Sequence, residues 1–337
     1  MRRIGLAIVL ALGLALVPLA EAQRSGQSAR VGFLIFGPPP NAEELAKSIS
    51  TSWFWKEMKD LGWIYGQNIV AERRYGESAD QLRAAAADLV RLKVDVVFTL
   101  SAGLAKILQL ESKTIPIVVW GAGGDLVAGG LVANLARPGG NLTGVQVRND
   151  DLVPKRLEFL KALLPKLSRV ALLQEDVFTA SVIPQIVALY EQKAAAAARS
   201  LGLTIHRVIV HRPDELAVAF RDMTDTRDQG LLILTTPFFN AHLKEIVELA
   251  AKHGIVAVYE HEGFVQAGGL MSYGGNPGEY HRRSVALVDK ILRGAKPGDL
   301  PVEQPTKFDL VFNMKTAEAL RLTIPQTLLL QADKVIE

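Results

Sequence analysis

The sequence has no cysteine among its 337 residues, which excludes a disulfide framework, a thiolate metal site, a thiol nucleophile and a lipid-modified cysteine anchor. Charge of one sign is also scarce in blocks: 38 basic residues against 35 acidic ones leave a net charge of only +3, scattered along the chain. No stretch can track a phosphate backbone, so nucleic acid is not an expected partner. The six histidines, at 206, 211, 242, 253, 261 and 281, show no tight ligand spacing, and no metal or other cofactor is expected.

Catalytic signatures are missing as well. A hydrolase elbow needs Gly-x-Ser-x-Gly, but "TLSAG" carries Thr99 and "GLMSYG" carries Leu270 where the first glycine should stand. The run "GAGGDLVAGG" (121–130) fails the dinucleotide fingerprint because position 126 is leucine, and there is no phosphate-binding P-loop. The chain therefore reads as a non-enzyme.

One long apolar run is present, and only at the start. "MRRIGLAIVLALGLALVPLAEAQ" places Arg2 and Arg3 before an apolar stretch from Ile4 to Leu19, then Ala20-Glu21-Ala22 as a small-x-small cleavage site. The pattern predicts a signal peptide over 1–22, and a product that is soluble, exported and not lipid-anchored, placed in the periplasm. About 16 apolar residues are short for a membrane span.

The whole chain is 49% hydrophobic, enough to fill two ordinary cores. From Arg30 onward, short β-rich runs alternate with helical patterns. "RVGFLIF" (30–36), "NIVAERRY" (68–75), "VDVVFTL" (94–100) and "IPIVVWG" (115–121) are separated by apolar residues at helical spacing, the first set running from Leu45 to Leu61. Arg137-Pro138-Gly139-Gly140-Asn141 then breaks the chain before "LTGVQV" (142–147). The same rhythm restarts with "RVALLQ" (169–174), a long helix across 181–201, "LTIHRVIV" (203–210), "GLLILTT" (230–236), "IVAVYE" (255–260) and "GGLMSYGG" (268–275). Two α/β halves with parallel sheets are expected, the break marking the point where the first sheet is complete. In such folds a ligand lies outside the carboxyl ends of the strands, so the cleft between the halves is the expected site.

The segments "GWIYGQNIVAERRYGE", "TIPIVVWGAGGDLVAGGLVANLARPGGNLTGV", "PFFNAHLKEIVELAAKHGIVAVYE" and "LPVEQPTKFDLVFNMKTAEALRLTIP" resemble the ABC transporter substrate-binding protein family of the tryptophan/tyrosine-binding type, from about Arg30 to the C-terminus. The resemblance implies a type I periplasmic-binding-protein fold, two Rossmann-like lobes joined by three crossovers. On that basis the first lobe is expected over 30–143 and 276–305, with the second over 144–275 and 306–337. It also implies a monomer that captures a small solute, foremost an amino acid with an aromatic side chain, and delivers it to a membrane ABC permease. Two loops depart from the usual family pattern: Ser101-Ala102-Gly103-Leu104-Ala105 replaces a Gly-Thr-Pro-Ala-Ala-like loop, and Leu126 stands where Gly-Asp-Pro-Val has proline.

Strand-to-helix turns present backbone N–H groups and the positive end of a helix dipole, which suits a carboxylate. The turns at Gly37 and at Ser101 to Gly103 are the candidates. Asp125, in its glycine-rich loop, is a candidate partner for an ammonium group. From the second half, Phe238 can stack on a ring, while Asn240 either caps the following helix or bonds the ligand. Tyr259, Glu262 and Tyr273 end or follow strands and are candidates for the far wall. A secreted hydrolase or transferase using the same cleft, and a ligand-sensing receptor subunit, are the alternative readings.

Overall fold

A computed structural model describes residues 28–50, 52–176 and 182–337. The expected signal peptide lies outside the described residues, as does position 181 of the expected long helix. The described chain forms two sheets, and their strand order decides what can face what.

The first sheet has the order β2-β1-β3-β4-β5 and is parallel throughout. Its strands are β1 (Ala29–Phe36), β2 (Ile69–Gly76), β3 (Val96–Thr99), β4 (Ile117–Ala122) and β5 (Leu142–Gln146). The central strands are apolar on both faces because helices cover both. On one face α3 (Ala79–Arg91) and α4 (Ala102–Glu111) bury Leu82, Ala86, Leu89, Leu104 and Leu108 against Leu34, Val97 and Val119. The other face carries Phe54, Trp55 and Met58 from α2 (Trp53–Asp60) against Val31, Val96 and Phe98. The helical pattern over 45–61 is two helices, α1 (Ala42–Ser50) and α2, because Ser52 is extended between them.

The second sheet has the order β12-β11-β10-β9-β8-β6-β7. It comprises β6 (Arg169–Glu175), β7 (Thr204–Val210), β8 (Gly230–Ile233), β9 (Val256–Tyr259), β10 (Met271–Gly275), β11 (Phe308–Asn313) and β12 (Lys334–Ile336). All neighbours are parallel except β11, which runs antiparallel to β10. One face is covered by α5 (Asn149–Leu163) and α6 (Pro184–Ser200), through Leu157, Leu160, Tyr190 and Ala194. The opposite face packs α7 (Leu216–Asp225) and α9 (Leu243–His253) on Ala171, Leu173, Leu231 and Ala257. Two short helices, α8 (Pro237–Ala241) and α10 (Glu262–Gln266), follow β8 and β9.

The chain passes between the sheets three times. The Pro138-Gly139-Gly140 break is not the exit from the first sheet, contrary to the sequence reading. It precedes β5, which pairs with β4 and stays in that sheet through Gln146, so the expected boundary after residue 143 cuts a strand. Gly144 lets β5 approach so closely: a Cβ there would lie 2.1 Å from the Val119 carbonyl oxygen. After β10, α11 (Pro277–Leu292) returns to the first sheet and completes its aromatic face with Val285, Val288 and Ile291. The chain then runs beside β5, where the Gln146 N–H donates to the Glu303 carbonyl and the Glu303 N–H to that of Gly144, before it re-enters the second sheet as β11.

Candidate functional site

The carboxyl ends of the two sheets face each other, and they touch. Phe36, the last residue of β1, meets Phe238, the second residue of α8 after β8, with ring centroids 6.3 Å apart in an edge-on contact. Each ring presents its positive edge or negative face to the other, the favoured aromatic geometry. Phe238 is buried and also packs on Phe239 and His242.

On the first lobe, Gly37 adopts φ 122°, a conformation that favours glycine, and turns the chain out of β1. Its N–H donates to the Gly76 carbonyl at 3.0 Å, so the expected free donor is already bonded. Beside it a cavity of about 410 Å³ is lined by Gly37, Pro38, Tyr75, Gly76 and Arg74. Ser101 is the N-cap of α4, its hydroxyl accepting from the Leu104 N–H at 3.2 Å, and Gly103 lies buried in the helix's first turn. The first-turn N–H groups and the helix dipole there are directed toward the cleft edge of the sheet.

Asp125 organises its own loop. One carboxylate oxygen accepts from the N–H groups of Val127 and Ala128, and the other lies 3.3 Å from the Arg148 guanidinium. Arg148 also pairs with Asp150 and Asp151, both of which Lys193 of α6 contacts as well. Burial alone pushes the Asp150 carboxyl up, but Arg148 and Lys193 hold it below the usual carboxylate range. These charges gather where the chain first crosses between the sheets.

Behind them lies a network that sequence reasoning did not find. Arg156 is fully buried and donates through Nε to the Tyr273 carbonyl, through Nη1 to Glu260 Oε1 at 3.2 Å, and through Nη2 to Asn149 Oδ1. Asn149 returns a bond from Nδ2 to Glu260 Oε2 at 2.9 Å. Its backbone N–H donates to the Gly123 carbonyl of the first lobe, so one residue is tied to both halves. Glu260 follows β9 directly, and Gly274 must lack a side chain because a Cβ would fall 1.7 Å from the Glu260 carbonyl oxygen. Burial pushes the Glu260 carboxyl up, with the Arg156 charge opposing. The faint sequence signal was the 149/156 spacing, which places both polar side chains on one side of a helix two turns apart.

Three wall candidates lie elsewhere. Tyr259 is a core residue, stacked at 4.6 Å on Phe264 beneath α10, since β9 is buried on both faces. Glu262 pairs with Lys334 of β12 and with Gln266, which places it on the second sheet's own edge. Tyr273 points to the α5 face, edge-on to Phe159 at 5.2 Å. Asn240 accepts from His261 Nε2 at 2.8 Å, while His261 Nδ1 accepts from the Gly263 N–H. That pair of bonds requires the neutral imidazole, consistent with burial and the nearby Arg156 lowering its pKa to about 4. Among the described residues, no cluster of His, Asp or Glu could hold a metal ion, and no helix is long and apolar enough to cross a membrane.

Comparison with known proteins agrees with this architecture. A protein of Clostridioides difficile (strain R20291) described as tyrosine-binding is 25% identical over 269 residues, 79% of this chain and 75% of the relative. The structure of an ABC domain in complex with L-Trp from Streptococcus pneumoniae superposes with a TM-score of 0.78 at 23% identity, covering 92% of this chain and all of the other. A ligand-free, open substrate-binding protein with adhesive properties from Clostridium difficile gives a TM-score of 0.59 at 21% identity, with 91% and 99% covered. These likenesses show the type I periplasmic-binding-protein fold. A family model described as ABC transporter substrate binding protein matches residues 51–336, and the chain belongs to that family.

Proposed function

We propose that the protein is the exported receptor of an ABC importer and captures an amino acid with an aromatic side chain between its lobes, releasing it unchanged to a membrane permease. The observation that carries this reading is the meeting of the two carboxyl edges at Phe36 and Phe238, an aromatic pair at the place where a ring would be enclosed. The tyrosine-binding relative and the L-Trp complex of a structural neighbour support the solute class.

In this reading the first turn of α4, from Ser101 to Gly103, holds the solute carboxylate through backbone N–H groups. Phe36 and Phe238 together form one aromatic wall against the ring, and the turn at Gly37 brings the backbone close. Asp125 shapes the loop that faces them, since both its carboxylate oxygens are engaged within the protein. Closure follows from differential contact: only the closed lobes touch the solute from both sides. A micromolar affinity corresponds to about 8 kcal/mol, within reach of a few such bonds and one enclosed ring.

Isothermal titration of the purified chain with L-Trp, L-Tyr, L-Phe, L-Ala and glucose tests the proposal. Binding of the aromatic amino acids and not of L-Ala or glucose is expected. Binding of glucose alone, or chemical turnover of any of them, would overturn it.

A further inference from the structure

The glycine-rich run 121–130 and the start of α6 make a contact that extends the core of the first lobe into the second. Ile183 and Ile186 belong to the second lobe, at the N-cap and first turn of α6, yet both are buried in the apolar cluster of the first lobe with Leu126, Leu131 and Val132. They are 6% and 5% exposed. Gly124 and Gly129 form the seat: a Cβ on Gly124 would lie 2.1 Å from Ile186 Cγ2, and one on Gly129 would lie 3.0 Å from its Cδ1. Neither glycine has a positive φ, so the missing side chains serve proximity rather than backbone shape. Leu126 is held in place by its N–H bond to Gln146 Oε1 at 2.8 Å.

We infer that Ile183 and Ile186 are an apolar latch that sets solute affinity without touching the solute, by stabilising the closed arrangement of the lobes. The inference rests on the reading that the lobes open and close around a solute. The chemistry suits the role. An apolar contact of this kind is lost whenever the lobes part, so it biases the open–closed equilibrium, and observed affinity scales with the closed population. Phe36 packs against the same apolar cluster, so the latch borders the proposed solute site and acts on affinity alongside the direct contacts made there.

Two measurements test it on the purified chain. The first uses the absence of cysteine. Gly124→Cys with Ile186→Cys places two thiols on a glycine and an isoleucine whose Cβ positions are 3.3 Å apart, close to disulfide range. Mild oxidation is expected to cross-link them, faster with L-Trp or L-Tyr added than without. Failure to cross-link in any condition refutes the latch, whatever the protein binds. The second is calorimetric: Ile186→Ala is expected to weaken L-Trp or L-Tyr binding about tenfold, mainly through faster release, a factor that corresponds to about 1.4 kcal/mol. Gly124→Ala is expected to weaken it as well, and the double variant Gly124→Ala/Ile186→Ala to do so by much less than the product of the two. Unchanged affinity in Ile186→Ala, with a wild type that binds, refutes the latch and leaves solute capture standing. Cross-linking in a protein that binds no amino acid leaves the latch standing as a lobe contact and removes the proposed solute.

Discussion

The two lobes solve one problem with different materials. The first sheet is wholly parallel, and its aromatic face joins Phe33, Phe54, Trp55 and Phe98 in mutual edge-on or tilted contacts. The second sheet, larger and with one antiparallel pairing, buries a charged pair, Arg156 with Glu260, at 0% and 2% side-chain exposure. A buried ion pair contributes little net stability compared with an apolar core of equal volume, but it fixes geometry. Charge therefore stands where a crossing strand must be held in one orientation, while the aromatic cluster supplies bulk.

The comparison makes its largest prediction at Glu260. Glu260→Ala leaves the Arg156 guanidinium buried and unpaired, and should destabilise the second lobe by about 3–5 kcal/mol in urea unfolding. A stability equal to wild type would show that the pair carries no structural role. In the first lobe, Phe54→Ala should cost about 3–5 kcal/mol through the cavity it leaves, with intact binding of the folded fraction. Broadening or splitting of the unfolding transition in either variant would show the lobes unfolding separately, and a single sharp transition in both would show them coupled.

Gly144→Ala should be smaller, about 1–3 kcal/mol, as overpacking against the Val119 carbonyl pushes β5 from β4. Differential scanning calorimetry checks it. The smallest effect concerns pH. His281 stacks on Trp53 at 3.5 Å in the first lobe, and burial lowers its pKa to about 4, as it does for His261 in the second. Both fall below the unfolded value of about 6.5, so between those limits the unfolded chain binds more protons. Their stability contribution is complete above about pH 6.5 and declines as pH falls toward 4. Replacing His281 by Phe should flatten that slope, and a slope unchanged in urea titrations from pH 4.5 to 7 would assign it to other groups.

Much of the fold was readable because parallel strands buried on both faces are continuous apolar runs. "RVGFLIF", "VDVVFTL" and "IPIVVWG" each coincide with a strand of the first sheet to within about two residues at either end. The exit from that sheet was misplaced because the Pro-Gly-Gly break is the strongest local signal, while the pairing that keeps β5 in the sheet is decided by Val119 and Gly144, 25 positions apart. Candidate site residues fared unevenly for a similar reason. A strand end reveals that a residue is near the cleft but not which face its side chain takes, and Tyr259 and Tyr273 pack on opposite faces of the second sheet. The Arg156–Glu260 pair is 104 positions apart, and only the 149/156 spacing within α5 hints at its network.

The return of α11 to the first sheet bears on how the chain matures. Until residues 285–291 have been synthesised, the face bearing Phe54, Trp55 and Phe98 lacks its cover, although every strand of that sheet is complete by residue 146. A nascent chain therefore carries an unfinished first lobe for more than a hundred residues. Completion of the first lobe is thus tied to the synthesis of residues far downstream of its last strand.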